Sequence, residues 1–292
     1  MRADPAEYQL VSPGSLQAAL SVLASEPAEW LPIAGGTDVM VLYSAGKLPH
    51  RKLINILNIP ELRQIEVLPD RIRIGAASNY TSLRWHKIVS REFPLLATAA
   101  SWTGGIANQN RGTLGGNIAN ASPAADSLPA LLVYDAELTL ISVRGARQVP
   151  YRNFHTGYKK TALAADELIR DISVPRRFIG YVSHARKVGA RNAQAISKVC
   201  LAALGQIADG TVRDVRLALG SVAPVPLRLH ETEHLLAGKK LAPSWIAAAK
   251  RTVAAEIRPI DDIRSSAQYR SAVAGNLVAE FLEKLAAAGA NA

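Results

Sequence analysis

Two short stretches hold the residue types that grip a phosphate. Loop one reads Leu31-Pro32-Ile33-Ala34-Gly35-Gly36-Thr37-Asp38, an apolar run ending in two glycines, a hydroxyl and an acid. A strand running into Gly-Gly leaves main-chain N–H groups unshielded by side chains, and such a nest accepts the oxygens of a phosphate or pyrophosphate. Loop two reads Arg111-Gly112-Thr113-Leu114-Gly115-Gly116-Asn117-Ile118 and is expected to share that design, with Thr113 and Asn117 adding hydrogen bonds. It continues through Ala121-Ser122-Pro123-Ala124-Ala125 to Asp126, an acid expected in the first turns of a helix and suited to a ribose hydroxyl. Neither loop is the Gly-x-Gly-x-x-Gly of a Rossmann fold or a phosphate loop ending in Gly-Lys-Ser/Thr. One Gly-Gly is an ordinary turn; two on successive lobes suit the pyrophosphate of an extended dinucleotide.

Other reactive side chains are sparse. Cys200 is the single cysteine and sits in the apolar run Val199-Cys200-Leu201-Ala202-Ala203-Leu204, which reads as core. One cysteine excludes a disulfide framework, a cysteine-rich zinc site and an iron–sulfur cluster held by this chain alone. His230 and His234 are four apart on an expected helix but lack a third ligand, so no metal site is expected.

The elements that position the loops follow from periodicity. Leu16, Ala19, Leu20 and Leu23 recur at helical spacing behind Ser15, and Trp30 to Ala34 reads as the strand feeding loop one. Lys52 to Ile56 reads as a strand, and 65–67 with 71–74 as a hairpin around Pro69-Asp70. Helices are expected over 81–90 and 93–101, then a glycine-dense segment 104–120, then a helix starting at Ser122-Pro123. Strands are expected over 137–143, 148–151 and 167–174. Beyond Pro175-Arg176-Arg177 the texture changes to strands over 197–207 and 212–221, joined by Asp209-Gly210. Helices follow over 231–236, 243–257 and 267–285.

Composition agrees with a globular chain: 49% hydrophobic and 20% charged residues in 292. No apolar run reaches the roughly 18 residues of a membrane span. The start Met1-Arg2-Ala3-Asp4-Pro5 has no apolar leader core, so the expected location is the cytoplasm. The net charge of +10 comes from dispersed Lys and Arg without a basic aromatic stripe. That points away from nucleic acid and towards an acidic partner subunit or a phosphorylated cofactor.

Ala34 to Asp38 and Thr113 to Asp126 together resemble the two FAD motifs of the medium subunit of molybdenum hydroxylases. That family includes xanthine dehydrogenase, carbon monoxide dehydrogenase and 4-hydroxybenzoyl-CoA reductase. The resemblance covers nearly the whole chain and implies an α+β fold. A two-lobed PCMH-type FAD-binding domain would span 1–176, with lobes of about 1–57 and 58–176, and a sheet-plus-helices C-terminal domain 177–292. It further implies an electron-transfer role. The substrate is hydroxylated at a molybdenum cofactor on a large partner subunit, and electrons cross 2Fe–2S clusters on a small subunit to FAD here. They leave to NAD or another acceptor.

By the same resemblance, Pro32, Ile33, Ala34, Gly35, Gly36, Thr37 and Asp38 hold the FAD pyrophosphate, and Thr113, Gly115, Gly116 and Asn117 complete the grip. Asn120 and Asp126 contact the polar chain or adenosine half, Lys187 lies near the flavin ring, and Ile169 gives an apolar main-chain contact. No catalytic acid or base is implied. One departure is visible: many relatives read Gln-Ile-Arg-Asn before loop two, where this chain has Ala107-Asn108-Gln109-Asn110, with Gln109 in place of the arginine. The lone cysteine disfavours the 4-hydroxybenzoyl-CoA reductase branch, whose equivalent subunit carries its own cluster. Phe154-His155-Thr156-Gly157 resembles bacterial xanthine dehydrogenase flavin subunits, which points towards purine substrates. The competing readings are a stand-alone flavin reductase of related fold and a non-enzymatic binding module.

Overall fold

The computed structural model describes residues 3–191 and 194–290. Met1 and Arg2, part of the start read above for a leader, lie outside the described residues. Ser15 Oγ accepts from the Ala18 N–H at 3.2 Å and caps the helix Leu16–Ser25. The buried face of that helix, Leu16, Ala19, Leu20 and Leu23, packs with Trp30 and Ile54 of a parallel sheet. The strands of this sheet lie in the order Gln9–Val11, Lys52–Asn55, Trp30–Ile33, so the edge strand Trp30–Ile33 runs straight into loop one. The short helix Val39–Ser44 then leaves the loop with none of its residues buried.

A second, antiparallel sheet has the order Ile65–Val67, Arg71–Gly75, Leu168–Pro175, Glu137–Ser142, Gly145–Pro150. Its central strand slips register between Ile169 and Asp171, and the bulged Arg170 turns its carbonyl to the Ala76 N–H at 3.0 Å. Ile72, Ile74 and Ile172 of this sheet bury against Leu114, Ile118, Leu128 and Leu131 of the covering helices.

Three local expectations change here. The single helix expected over 81–90 is two, Tyr80–Trp85 and Lys87–Glu92, because His86 is extended (φ −72°, ψ 117°) and its imidazole caps the second. The glycine-dense segment is not loop throughout: it folds into Ile106–Arg111 and Leu114–Asn120. The helix expected from Ser122 begins only at Leu128, since Ser122 Oγ takes the Ala124 N–H in a turn, and Asp126 therefore precedes the helix.

The rest of the chain forms an antiparallel sheet of Val182–Val188, Val199–Ala208, Thr211–Gly220 and Leu227–Arg228. Asp209 and Gly210 both take positive φ, 51° and 71°, as the expected hairpin turn requires. Leu201, Ala203, Leu217 and Leu219 pack under the long helices Pro243–Glu256 and Ala267–Ala290, sharing a core with Val253, Val278 and Phe281. Ala202, Leu204 and Ala218 face the other way, into the core of the second sheet. Burial on both faces explains why Val199–Leu204 is apolar without alternation. Cys200 lies within this strand at 1% exposure, and burial pushes its thiol up, away from thiolate chemistry. Among the described residues no helix is long and apolar enough to cross a membrane.

Arg176 fastens the end of the central strand. Its Nε and second guanidinium nitrogen reach the buried Glu92 carboxylate at 2.7 and 3.0 Å, and Arg91 reaches the same group at 2.7 Å. Hydrogen bonds from the two guanidinium groups hold Glu92 below its ordinary value of 4.5. A depressed carboxylate adds stability above that value and loses it as the pH falls through the folded value. Glu92→Gln is therefore expected to lower the thermal midpoint at pH 7, with the gap to wild type closing as melts are repeated at pH 4 and below.

Candidate functional site

In loop one the N–H groups of Gly35, Gly36, Thr37 and Asp38 donate to no protein acceptor among the described residues. Gly36 has φ +73°, a left-handed conformation that favours glycine and turns successive N–H groups into one concavity. Gly35 is glycine for another reason. A Cβ there would lie 1.8 Å from the Arg111 carbonyl oxygen, so its bare Cα lets the two loops touch. Gly35→Ala is expected to push loop one off loop two, lowering the thermal midpoint and abolishing retention of any ligand shared by the loops. Calorimetry and a ligand titration of the purified variant check both.

Loop two does not repeat this design, contrary to the expectation above. Most of its N–H groups are already used: Leu114 donates to Ser78 O at 3.1 Å, Gly115 to Ala76 O at 2.9 Å, and Asn117 to Thr113 O at 3.0 Å, while the Thr113 N–H donates to no protein acceptor among the described residues. The Gly116 N–H donates to Thr113 Oγ1 at 3.1 Å, so Thr113 acts as the helix cap. Gly115 is buried against Ala76, whose Cβ would sit 2.5 Å from an added Cβ. Gly116 alone of the three loop-two glycines is exposed, and a Cβ there would meet only Thr113 Oγ1, at 2.8 Å. Loop one thus offers a run of free donors, and loop two a single one, at Thr113, beside a bare main-chain surface braced from behind.

A polar chain runs on from loop two. Asn117 Oδ1 accepts from Ser127 Oγ at 2.7 Å, and Ser127 meets the buried Tyr80 hydroxyl at 3.3 Å. Burial pushes the Tyr80 phenol up, so it stays neutral. Asn120 is held by Lys159, whose Nζ donates to its main-chain and side-chain oxygens at 2.9 and 2.8 Å. His155 Nε2 is 2.9 Å from Ile118 O, and burial keeps that imidazole below its ordinary value.

Asp126 and Lys187 meet each other. Their charged atoms are 2.6 Å apart with side chains 8% and 10% exposed, and Lys187 Nζ also donates to Trp102 O at 3.1 Å. Ser197 Oγ donates to the second Asp126 oxygen. Desolvation pushes the Asp126 carboxyl up, while the Lys187 ammonium and the Ser197 hydroxyl pull against it. The pair joins the segment after loop two to the strand Val182–Val188. Ile169, 5% exposed, lies beside the Arg170 bulge whose carbonyl takes the Ala76 N–H; Ala76 in turn supports Gly115. Pro32, Ile33 and Ala34 form the half-buried approach to loop one.

Residues 6–177 match the model described as FAD binding domain in molybdopterin dehydrogenase, and residues 184–285 that of the CO dehydrogenase flavoprotein C-terminal domain. The chain belongs to the molybdopterin dehydrogenase FAD-binding family. It is 34% identical over 278 residues to a xanthine dehydrogenase FAD-binding subunit of Escherichia coli O157:H7, covering 94% of this chain and 95% of that one. It is 30% identical to the carbon monoxide dehydrogenase medium chain of Hydrogenophaga pseudoflava, covering 95% and 96%. The solved carbon monoxide dehydrogenase of that organism superposes with a TM-score of 0.91 at 30% identity, over 96% of each chain. The α+β fold read from the sequence is that of the family. The cofactor of this FAD-binding family fits the residues present: a diphosphate needs several unpaired donors in one concavity, which loop one has, and close main-chain approach, which Gly116 permits.

Three partners in the site carry no signal in the sequence. Ser197 enters where the chain approaches the strand Val199–Ala208, whose register sets Lys187 opposite Cys200; the Trp102 carbonyl comes from the end of the helix Pro94–Trp102, and Ser127 from the turn after Asn120. Gln109, at the departure from the relatives' arginine, is buried and bonds Ser101 O at 2.9 Å, bracing the helix before loop two.

Proposed function

We propose that the chain is the FAD-carrying electron-transfer subunit of a molybdenum hydroxylase, with substrate hydroxylation on a large partner and 2Fe–2S clusters on a small one. The observation that carries the site is the unpaired run of N–H groups from Gly35 to Asp38 beside the uncovered Gly116. When bound, FAD supplies redox chemistry between the partner's iron–sulfur clusters and NAD or another acceptor. The chain's own residues bind and orient. Loop one donates to the diphosphate, Gly116 allows its approach, the Asn117 amide reaches the polar chain, and Lys187 sets positive charge near the ring. Asp126 holds Lys187 rather than standing free for a ribose. On this reading the FAD-binding unit ends near Pro175-Arg177.

The test is purification of the native complex with metal and flavin analysis. Two co-purifying chains, molybdenum, iron and about one FAD per copy of this chain are expected. NADPH-dependent turnover by this chain alone, without partners, would favour the stand-alone reductase instead.

A further inference from the structure

We propose that the Arg111 guanidinium is the charge anchor of the cofactor's diphosphate, a role that rests on the loop-one site above. The two loops, 31–38 and 111–118, contain one acid, Asp38, and one base, Arg111. Unpaired N–H groups offer only partial charges to a diphosphate bearing about two negative charges, and Asp38 adds a repulsive one. Arg111 sits where the loops meet, since its own carbonyl occupies the space a Gly35 side chain would need. Its side chain is exposed and makes no hydrogen bond, ion pair or ring contact with the described residues. Most of its counterparts are engaged: Arg84 bonds Gln109, Arg144 pairs with Asp166, Arg147 with Glu167 and Arg176 with Glu92. A planar guanidinium suits two phosphate oxygens at once and needs no pre-existing partner. Arg111 ends the helix Ile106–Arg111, where a cation is mildly favourable for the helix itself. That alternative assigns it a small effect on folding and none on ligand affinity.

FAD titration of the full-length apo chain, followed by flavin fluorescence at about 50 and 500 mM salt, separates the two. Arg111→Ala is expected to weaken FAD roughly 10- to 100-fold at low salt, the size of a charge-assisted hydrogen bond, with a smaller loss at high salt. Arg111→Lys is expected to keep most of the low-salt affinity, and the apo thermal midpoint of both variants to match wild type. Wild-type affinity in Arg111→Ala would overturn the proposal. So would an equal loss at both salt concentrations that Arg111→Lys shares. A wild-type chain that takes up no FAD would instead overturn the site reading on which the proposal rests.

Discussion

Gly116→Val is expected to abolish FAD retention while leaving the chain folded. The physical reason is an asymmetry among the glycines. A side chain at Gly35 or Gly115 collides with the carbonyl of Arg111 or with Ala76, so loss of flavin in those variants would mix binding with folding. At Gly116 the single close atom is Thr113 Oγ1, the end of a rotatable side chain. The valine methyl groups then fill the space into which the cofactor's main-chain contact must come. The loss is expected to exceed about 100-fold in Kd, because a steric block removes the diphosphate contacts of both loops together. The thermal midpoint of the apo variant is expected within a few degrees of wild type, since the site is on the surface and Thr113 can give. Full flavin occupancy in the purified variant would show that loop two is not part of the cradle.

The second large effect is expected from Lys187→Met. The lysine, itself donating to Trp102 O, neutralises a carboxylate that is 8% exposed and whose other oxygen accepts from Ser197. Removing one member of a buried pair leaves the other charge uncompensated, at a cost of about 3–5 kcal/mol near neutral pH. The sign of the pH dependence follows. Without the ammonium only the Ser197 hydroxyl opposes desolvation, so the Asp126 carboxyl rises further above its ordinary 3.8. A carboxyl raised on folding gives stability that is complete below the unfolded value and is lost as the pH climbs through the folded one. The variant is therefore expected to approach wild-type stability near pH 4 and to fall away from it towards pH 7. Denaturant melts at several pH values read this directly, and a pH-independent deficit would mean that Asp126 is not the group left unpaired.

Much of the fold is legible in the residues because local signals agree with burial. Ser15 before Leu16, Ala19, Leu20 and Leu23, and Asp209-Gly210 between two apolar runs, each specify an element that tertiary packing then uses. The stretches that depart from the periodic pattern are those where a side chain competes with the helix. The His86 imidazole cuts one helix into two, and Ser122 delays another until Leu128.

For the site, the residue types of both loops are legible, but the division of labour between them is not. Gly35, Gly115 and Gly116 look alike as letters; a neighbouring carbonyl, a neighbouring methyl and open space distinguish them. Likewise Asp126 reads as a free acceptor, and only the register that lays Val182–Val188 along Val199–Ala208 brings Lys187 and Ser197 to it. Contacts made across 61 residues, as in that pair, leave no periodicity in the chain.

If the run of unpaired N–H groups in loop one receives the cofactor, those of Leu114 and Gly115 in loop two, already committed to protein carbonyls, do not. Amide hydrogen exchange of the full-length chain, with and without FAD, measures this. FAD is expected to slow exchange sharply over Gly35 to Asp38 and to change Leu114 and Gly115 little, because those two already donate to Ser78 and Ala76. Unchanged exchange over Gly35 to Asp38 on saturation with FAD would contradict it.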